Sequence, residues 1–444
     1  MDLTTRRHFL ALVLASAAAS ACGASSPPGA SDGGSDGGTT PARPSDPELG
    51  DIQTIGHSFR RITASGDSAG AVDGDRQLAA KLYSLMAQAS RENFIFSPFS
   101  IASAFSMLMA GARTRSAEQL ASALGGTGQD WHESRNALDT FVRTPTQVPE
   151  GAQPLELDIA NAPFGQTGFP FEEDFIRVLA EYYGADMRAL DFSSDPEAAR
   201  QLINAWVADQ TRDRILDLLP PGSIDALVRL VLVNTVFFKA TWFNEFDPAR
   251  TGDQEFTLLD GSVAMVPTMS GSIRTTFGTG DGWQMVRLPY WGGYSMIVVV
   301  PDTGELANVE SQLDNGFLEN LSATQSDYAV ALSFPKFNFK TSQDLIPLFQ
   351  PLGVVDVFSE TLADLTGIAP AEAARLYVSG AFHQATIEVD ELGTTATAAT
   401  ALVVGATSAP EPVSLSVDRP FLFVIQHDES GEPLFIGRVT DPRT

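Results

Sequence analysis

Cysteine is almost absent from the chain: 444 residues contain one, Cys22. A lone thiol cannot close an intramolecular disulfide, and it cannot build a thiolate-rich metal site. Basic residues are also scarce, 28 Lys and Arg against 55 Asp and Glu, for a formal net charge of −27. A field of that sign repels phosphate backbones and argues against nucleic acid as a partner. The five histidines, His8, His57, His132, His383 and His427, are scattered without ligand-spaced neighbours, so no metal or cofactor is expected. No phosphate loop and no dinucleotide fingerprint is present. What the chain does have is apolar content, 43% of residues, enough for a sizeable core.

The N-terminus reads as an address. Arg6-Arg7 precedes an apolar run from Ala11 to Ala19, well short of the ~20 residues of a spanning helix. The paired arginines resemble a bacterial twin-arginine export signal. Ala19-Ser20-Ala21-Cys22 resembles a lipobox, which implies acylation of Cys22 and a membrane anchor, although leucine is missing three residues before the cysteine. One acyl chain alone anchors marginally. The expectation is an exported protein, a cell-envelope lipoprotein or an extracellular one, with residues 1–22 as the signal. Residues 23–72 are expected to form a flexible tether, because Ser-Asp-Gly-Gly repeats and prolines offer nothing to bury. The ordered domain is expected over 73–444.

Gly66-Asp67-Ser68-Ala69-Gly70 matches the Gly-x-Ser-x-Gly elbow of esterases. That motif needs a buried strand before the serine, and Arg60 to Ser65 hold one large apolar side chain. Gly278–Gly282 lacks such a strand too and reads as a turn. Residue by residue, the chain does not read as an enzyme.

Helical spacing dominates the first half and strand patterns the second, as in a single α+β domain with large sheets. Ser97-Pro98 supplies a cap and a first-turn proline for a helix carrying Ile101, Phe105, Leu108 and Met109. Leu230–Phe238 is a valine-rich run expected to be a strand buried on both faces. Trp283–Pro289, Tyr294–Val300, Val330–Phe339, Phe421–Gln426 and Pro433–Val439 are expected strands.

Several of these segments carry a family resemblance. Asn93-Phe94-Ile95-Phe96-Ser97-Pro98-Phe99-Ser100-Ile101, Leu232-Val233-Asn234-Thr235-Val236-Phe237-Phe238-Lys239-Ala240-Thr241-Trp242, Phe334-Pro335-Lys336-Phe337 and Asp418-Arg419-Pro420-Phe421 resemble serpin segments, collinearly from about residue 73 to the end. The departure is proline at position 163 in Asn161-Ala162-Pro163-Phe164. The resemblance implies helices packed around a large central sheet, two further sheets and an exposed reactive-centre loop. It implies a monomeric, single-use inhibitor of a serine or cysteine protease, held as a covalent acyl complex. It also implies that Ser97, Ser100, Asn234 and His383 form a polar cluster controlling sheet opening, with Lys239 and Trp242 where the loop first enters.

Glu391-Leu392-Gly393-Thr394-Thr395-Ala396-Thr397-Ala398-Ala399-Thr400 resembles the hinge of that loop. Read without the family, Gly393 to Ala409 is 17 residues with no proline, charge or aromatic ring. Such a segment can join a sheet as an interior strand, since every residue can donate and small side chains clear their neighbours. An Ala/Thr linker has the same composition, but it would orphan the strand pair after residue 413. The family's usual hinge length puts the scissile bond at Thr407-Ser408, with Ala406-Thr407 as the alternative. Small side chains there imply an elastase-like or subtilisin-like target, not a trypsin-like one. A serpin-fold binding or carrier protein that has lost inhibition is the rival reading.

Overall fold

The computed structural model describes residues 52–55, 59–64, 66–144, 146, 148, 155–324, 326, 328–370, 376–394 and 411–443. Cys22 and the loop residues 395–410, including Ala396, Ala398, Ala399, Thr400, Ala406, Thr407 and Ser408, lie outside them.

The largest sheet is built from β1 (Gln53–Ile55), β2 (Glu156–Gln166), β3 (Met187–Leu190), β4 (Leu230–Thr241), β5 (Phe337–Asp344), β6 (Gly380–Val389) and β7 (Gly393–Thr394). Their order across the sheet is β1-β3-β2-β4-β7-β6-β5, and β4 also pairs directly with β6. A six-stranded sheet holds Phe94–Phe96, Phe277–Gly280, Trp283–Pro289, Tyr294–Pro301, Phe421–His427 and Glu432–Val439. A four-stranded sheet holds Gly252–Thr257, Val263–Thr275, Tyr328–Pro335 and Glu411–Ser416.

The apolar run from Leu230 is central because both of its faces are covered. Val231 and Val233 pack beneath helix α4 (Pro196–Gln210) with Ile203 and Val207. Val236, Phe238 and Ala240 pack against Met296, Phe421 and Phe435 of the six-stranded sheet. Helices α1 (Ala69–Ala89), α2 (Pro98–Gly111) and α3 (Gly128–Val142) lie on the same side of the large sheet as that second sheet. Ser97 caps α2 as its side chain accepts from the Ser100 N–H at 3.2 Å, with Pro98 in the first turn.

Three sequence expectations need correction. The expected tether extended to residue 72, yet Gln53–Ile55 pairs with β3 through Thr54 and Arg188 and closes one edge of the large sheet. A three-residue strand is too short to declare itself by alternation. α1 likewise begins at Ala69, not at 73. The expected strand Val330–Phe339 is two strands in two sheets. Pro335 ends one, and Lys336 turns its N–H to Pro267 O at 2.9 Å before β5 begins. Pro163 sits within β2 opposite Leu232 with the register unbroken, one residue before β3 covers that side.

Candidate functional site

Two features meet where β4 and β6 run side by side. Gly380–Ala385 pair with Val231–Val236 in parallel register, so one end of the sheet is closed. Continuing that register would bring Val389 beside Ala240. Instead Thr394 stands between them, paired with Val389 on one side and Ala240 on the other. The strands are thus parted at this end, and the start of β7 is wedged into the opening.

The sequence fixes this wedge through a tight turn. Asp390 Oδ1 accepts from the N–H groups of Leu392 and Gly393 at 2.9 and 3.2 Å, and Asp390 N–H donates to Gly393 O at 2.9 Å. Gly393 has φ of 152°, and a Cβ there would lie 2.2 Å from Ala240 O and 2.8 Å from Thr241 Cα. Only glycine lets the chain approach β4 so closely. Thr394 is 1% exposed, and its Oγ1 shares a 2.7 Å hydrogen bond with the Tyr290 hydroxyl.

Trp242 encloses the turn. Its ring stacks on Tyr290 at 4.3 Å and its Nε1 donates to Asp390 O at 3.0 Å. Glu391 pairs with Lys336 at 2.7 Å and accepts from Thr251 Oγ1 at 2.8 Å. Burial opposes its charge, but those two contacts outweigh it and hold the carboxyl below its ordinary value. Lys239, expected at the entry, directly precedes Ala240, the partner of Thr394, and makes its ion pair with Glu156 of β2 at 3.4 Å.

At the closed end a polar cluster ties α2 to three strands. The Ser97 N–H donates to His383 Nε2 at 3.1 Å, and His383 Nδ1 meets Asn234 Oδ1. Asn234 Nδ2 donates to Ser100 Oγ and Asn161 Oδ1, both at 2.6 Å, and Ser100 Oγ donates to Asn161 Oδ1 at 3.1 Å. So Ser97, Ser100, Asn234 and His383 come together, and Asn161 joins them. Asn161 was missed because an asparagine in a strand announces no partner; its register position opposite Asn234 is visible only in the sheet.

His383 is fully buried, and burial lowers its pKa to about 3. Its hydrogen bonds act the same way: Nε2 accepts from Ser97, so a second ring proton would face a donor. The neutral form is favoured on folding. Stability from this group is therefore whole above the unfolded value near 6.5 and is lost as pH falls from there toward 3. In urea titrations of His383→Gln against the parent, the parent's unfolding free energy should lose about 1.4 kcal/mol more per pH unit over that window. Parallel pH profiles would exclude this account.

Ser68 of the esterase-like motif lies at the start of α1, with no strand over residues 59–64. Among the described residues no group of three or more potential ligands could hold a metal, and no helix is long and apolar enough to cross a membrane.

A large sheet that admits a hinge strand between two of its own strands defines the serpin class of fold. The family model "Serpin (serine protease inhibitor)" matches residues 73–442, and the chain belongs to the serpin family. It is 34% identical over 361 residues to the leukocyte elastase inhibitor of Bos taurus, covering 79% of this chain and 93% of that relative. It is 32% identical over 373 residues to antithrombin-III of Mus musculus, covering 82% and 80% respectively. The native-state crystal structure of the thermophilic serpin tengpin superposes with a TM-score of 0.79 at 24% identity, over 88% of this chain and 100% of that one.

Proposed function

We propose that the protein inhibits serine or cysteine endopeptidases as a single-use substrate, not as a catalyst. The observation that carries this reading is Thr394, buried and paired on both sides in an opening that the next residues could extend. A protease attacks the loop and forms an acyl-enzyme; cleavage frees the hinge, and the segment from Thr395 enters the gap as a new strand. The attached protease is carried off before deacylation, so its active site is distorted with the ester intact.

The hinge supports this over a binding or carrier role. Neither strand face of 394–404 carries a charge that would have to be buried. The bond proposed is Thr407-Ser408, with Ala406-Thr407 as the alternative, and the target is a protease with a small primary pocket. The chain acts as a monomer, placed at the cell envelope by lipidated Cys22 or released outside the cell.

Mixing the full chain with elastase- and subtilisin-type proteases should give an SDS-stable band at the summed mass. Sequencing the released C-terminal fragment should begin at Ser408. A fragment beginning at Thr407 moves the bond by one residue. Cleavage at either bond without a stable complex, under every protease tried, would leave the carrier reading instead.

A further inference from the structure

Two buried carboxyl groups meet away from the hinge, where α1, α3 and the last strand of the six-stranded sheet pack together. Asp75 lies on α1, and Glu432 opens the strand Glu432–Val439. Both residues are fully buried, and their carboxyl groups lie within hydrogen-bonding reach of each other. Glu432 Oε1 and Oε2 and Asp75 Oδ1 all lack a donor among the described residues.

Two arginines are close, yet neither serves Glu432. Arg135 of α3 gives Nη1 to Asp75 Oδ2, and Nη2 to Phe99 O at 2.9 Å and Ser103 Oγ at 2.6 Å. Arg76 of α1 gives Nη2 to Gly431 O at 3.0 Å and turns Nη1 toward the exposed Asp73, 3.7 Å away. The Nε–H groups of both are buried without an acceptor, so they too point elsewhere. The remaining titratable neighbours bring no donor. His427, opposite Glu432 in the hairpin, meets Ser430 Oγ through Nδ1 at 2.9 Å, and burial lowers its pKa. Tyr183, whose field reaches Arg135, directs its hydroxyl to His132 Nδ1 at 2.5 Å.

Two ionised carboxylates can only accept, so their contact is repulsive in a dry site. One proton, taken from solvent on folding, turns the contact into an O–H···O⁻ hydrogen bond, one of the short and strong kinds. We propose that the native fold holds one proton between Asp75 and Glu432 at neutral pH, as a latch joining α1 to the C-terminal strand that alkali releases. Burial raises both groups, and Glu432 is pushed well up because the Asp75 charge repels its own. The proton belongs to the pair and not to either residue. Because the folded value lies above the unfolded one, the latch is whole below the ordinary glutamate value of 4.5 and is lost as pH rises toward the folded value. It does not depend on the inhibitory reading.

The test is infrared spectroscopy of the full chain, in the carbonyl region where protonated carboxyl groups absorb clear of the amide bands. The parent should show such a band at neutral pH and lose it in alkali. Glu432→Gln should lack it, because the amide donates to Asp75 without titrating, and Glu319→Gln, at an exposed position, should keep it. If Glu432→Gln does not fold, Asp75→Asn should remove the same band, its amide donating to Glu432. In urea titrations from about pH 5 to about pH 8, the parent's folding constant relative to that of Glu432→Gln should fall about tenfold per pH unit until the pair ionises. A parent with no band at neutral pH, a band that survives in both variants, or a ratio of folding constants that is flat with pH would each overturn the proposal.

Discussion

A single cut between Ala401 and Ser408 is expected to raise the midpoint of thermal unfolding by on the order of ten degrees or more. The sign is the informative part. In an ordinary domain a nick in a surface loop lowers stability, because the unfolded chain gains freedom when a loop is opened. Among the described residues, Gly393 and Thr394 occupy the opening between β4 and β6. The loop is tethered at both ends, since Glu411 resumes as a strand paired to Tyr328 in a different sheet. Cutting frees one end. About ten further residues then gain partners on both flanking strands, roughly twenty hydrogen bonds, while the β4–β6 pairing of Gly380–Ala385 with Val231–Val236 is given up; at about 1 kcal/mol net per hydrogen bond the balance is on the order of 10 kcal/mol. For a domain of this size each kcal/mol moves the midpoint by roughly 1 °C. Scanning calorimetry before and after limited proteolysis, with the cut placed by mass spectrometry, reads the effect directly. An unchanged or lower midpoint would mean that no strand had entered, and the trapping mechanism would fall with it.

How far the sequence revealed this depends on which kind of information each element uses. The cap at Ser97-Pro98 and the valine-rich run from Leu230 are local signals, and both elements formed where the pattern placed them. The proposed hinge is read from what it lacks, charge and proline, since an inserting strand must meet that demand wherever it pairs; beyond Thr394 it lies outside the described residues. Non-local features were not legible. Gln53–Ile55 is three residues whose only reason to be a strand is the edge of β3. Asn161 earns its role from a register, and the break at Lys336 from a sheet that begins elsewhere.

Thr394→Arg should convert the protein from inhibitor to substrate. Position 394 is the first hinge residue paired on both sides, 1% exposed, with its hydroxyl on Tyr290. Arginine there needs several carbons of extra length and a charge that stays protonated at any working pH. The neighbours offer it nothing: Tyr290 is buried and stacked against Trp242, and burial pushes its hydroxyl proton further from release. Leaving a guanidinium uncompensated there costs several kcal/mol, the range measured when one partner of a buried pair is removed. The variant can escape this cost in the uncut state by withdrawing β7 from the opening. It cannot escape after cleavage, because residue 394 must be buried again before any later residue can insert. Insertion slows, and its competitor, hydrolysis of the acyl-enzyme, does not. A slowdown worth 3 kcal/mol is more than a hundredfold in rate, enough to send nearly every molecule down the hydrolytic branch. The yield of SDS-stable complex should fall to a few per cent of the parent's, while the loop is still cleaved at the same bond. Thr394→Ser, which keeps the hydroxyl and the volume nearly intact, should trap as the parent does. An arginine variant that trapped equally well would show that Thr394 is not the gate through which the strand must pass.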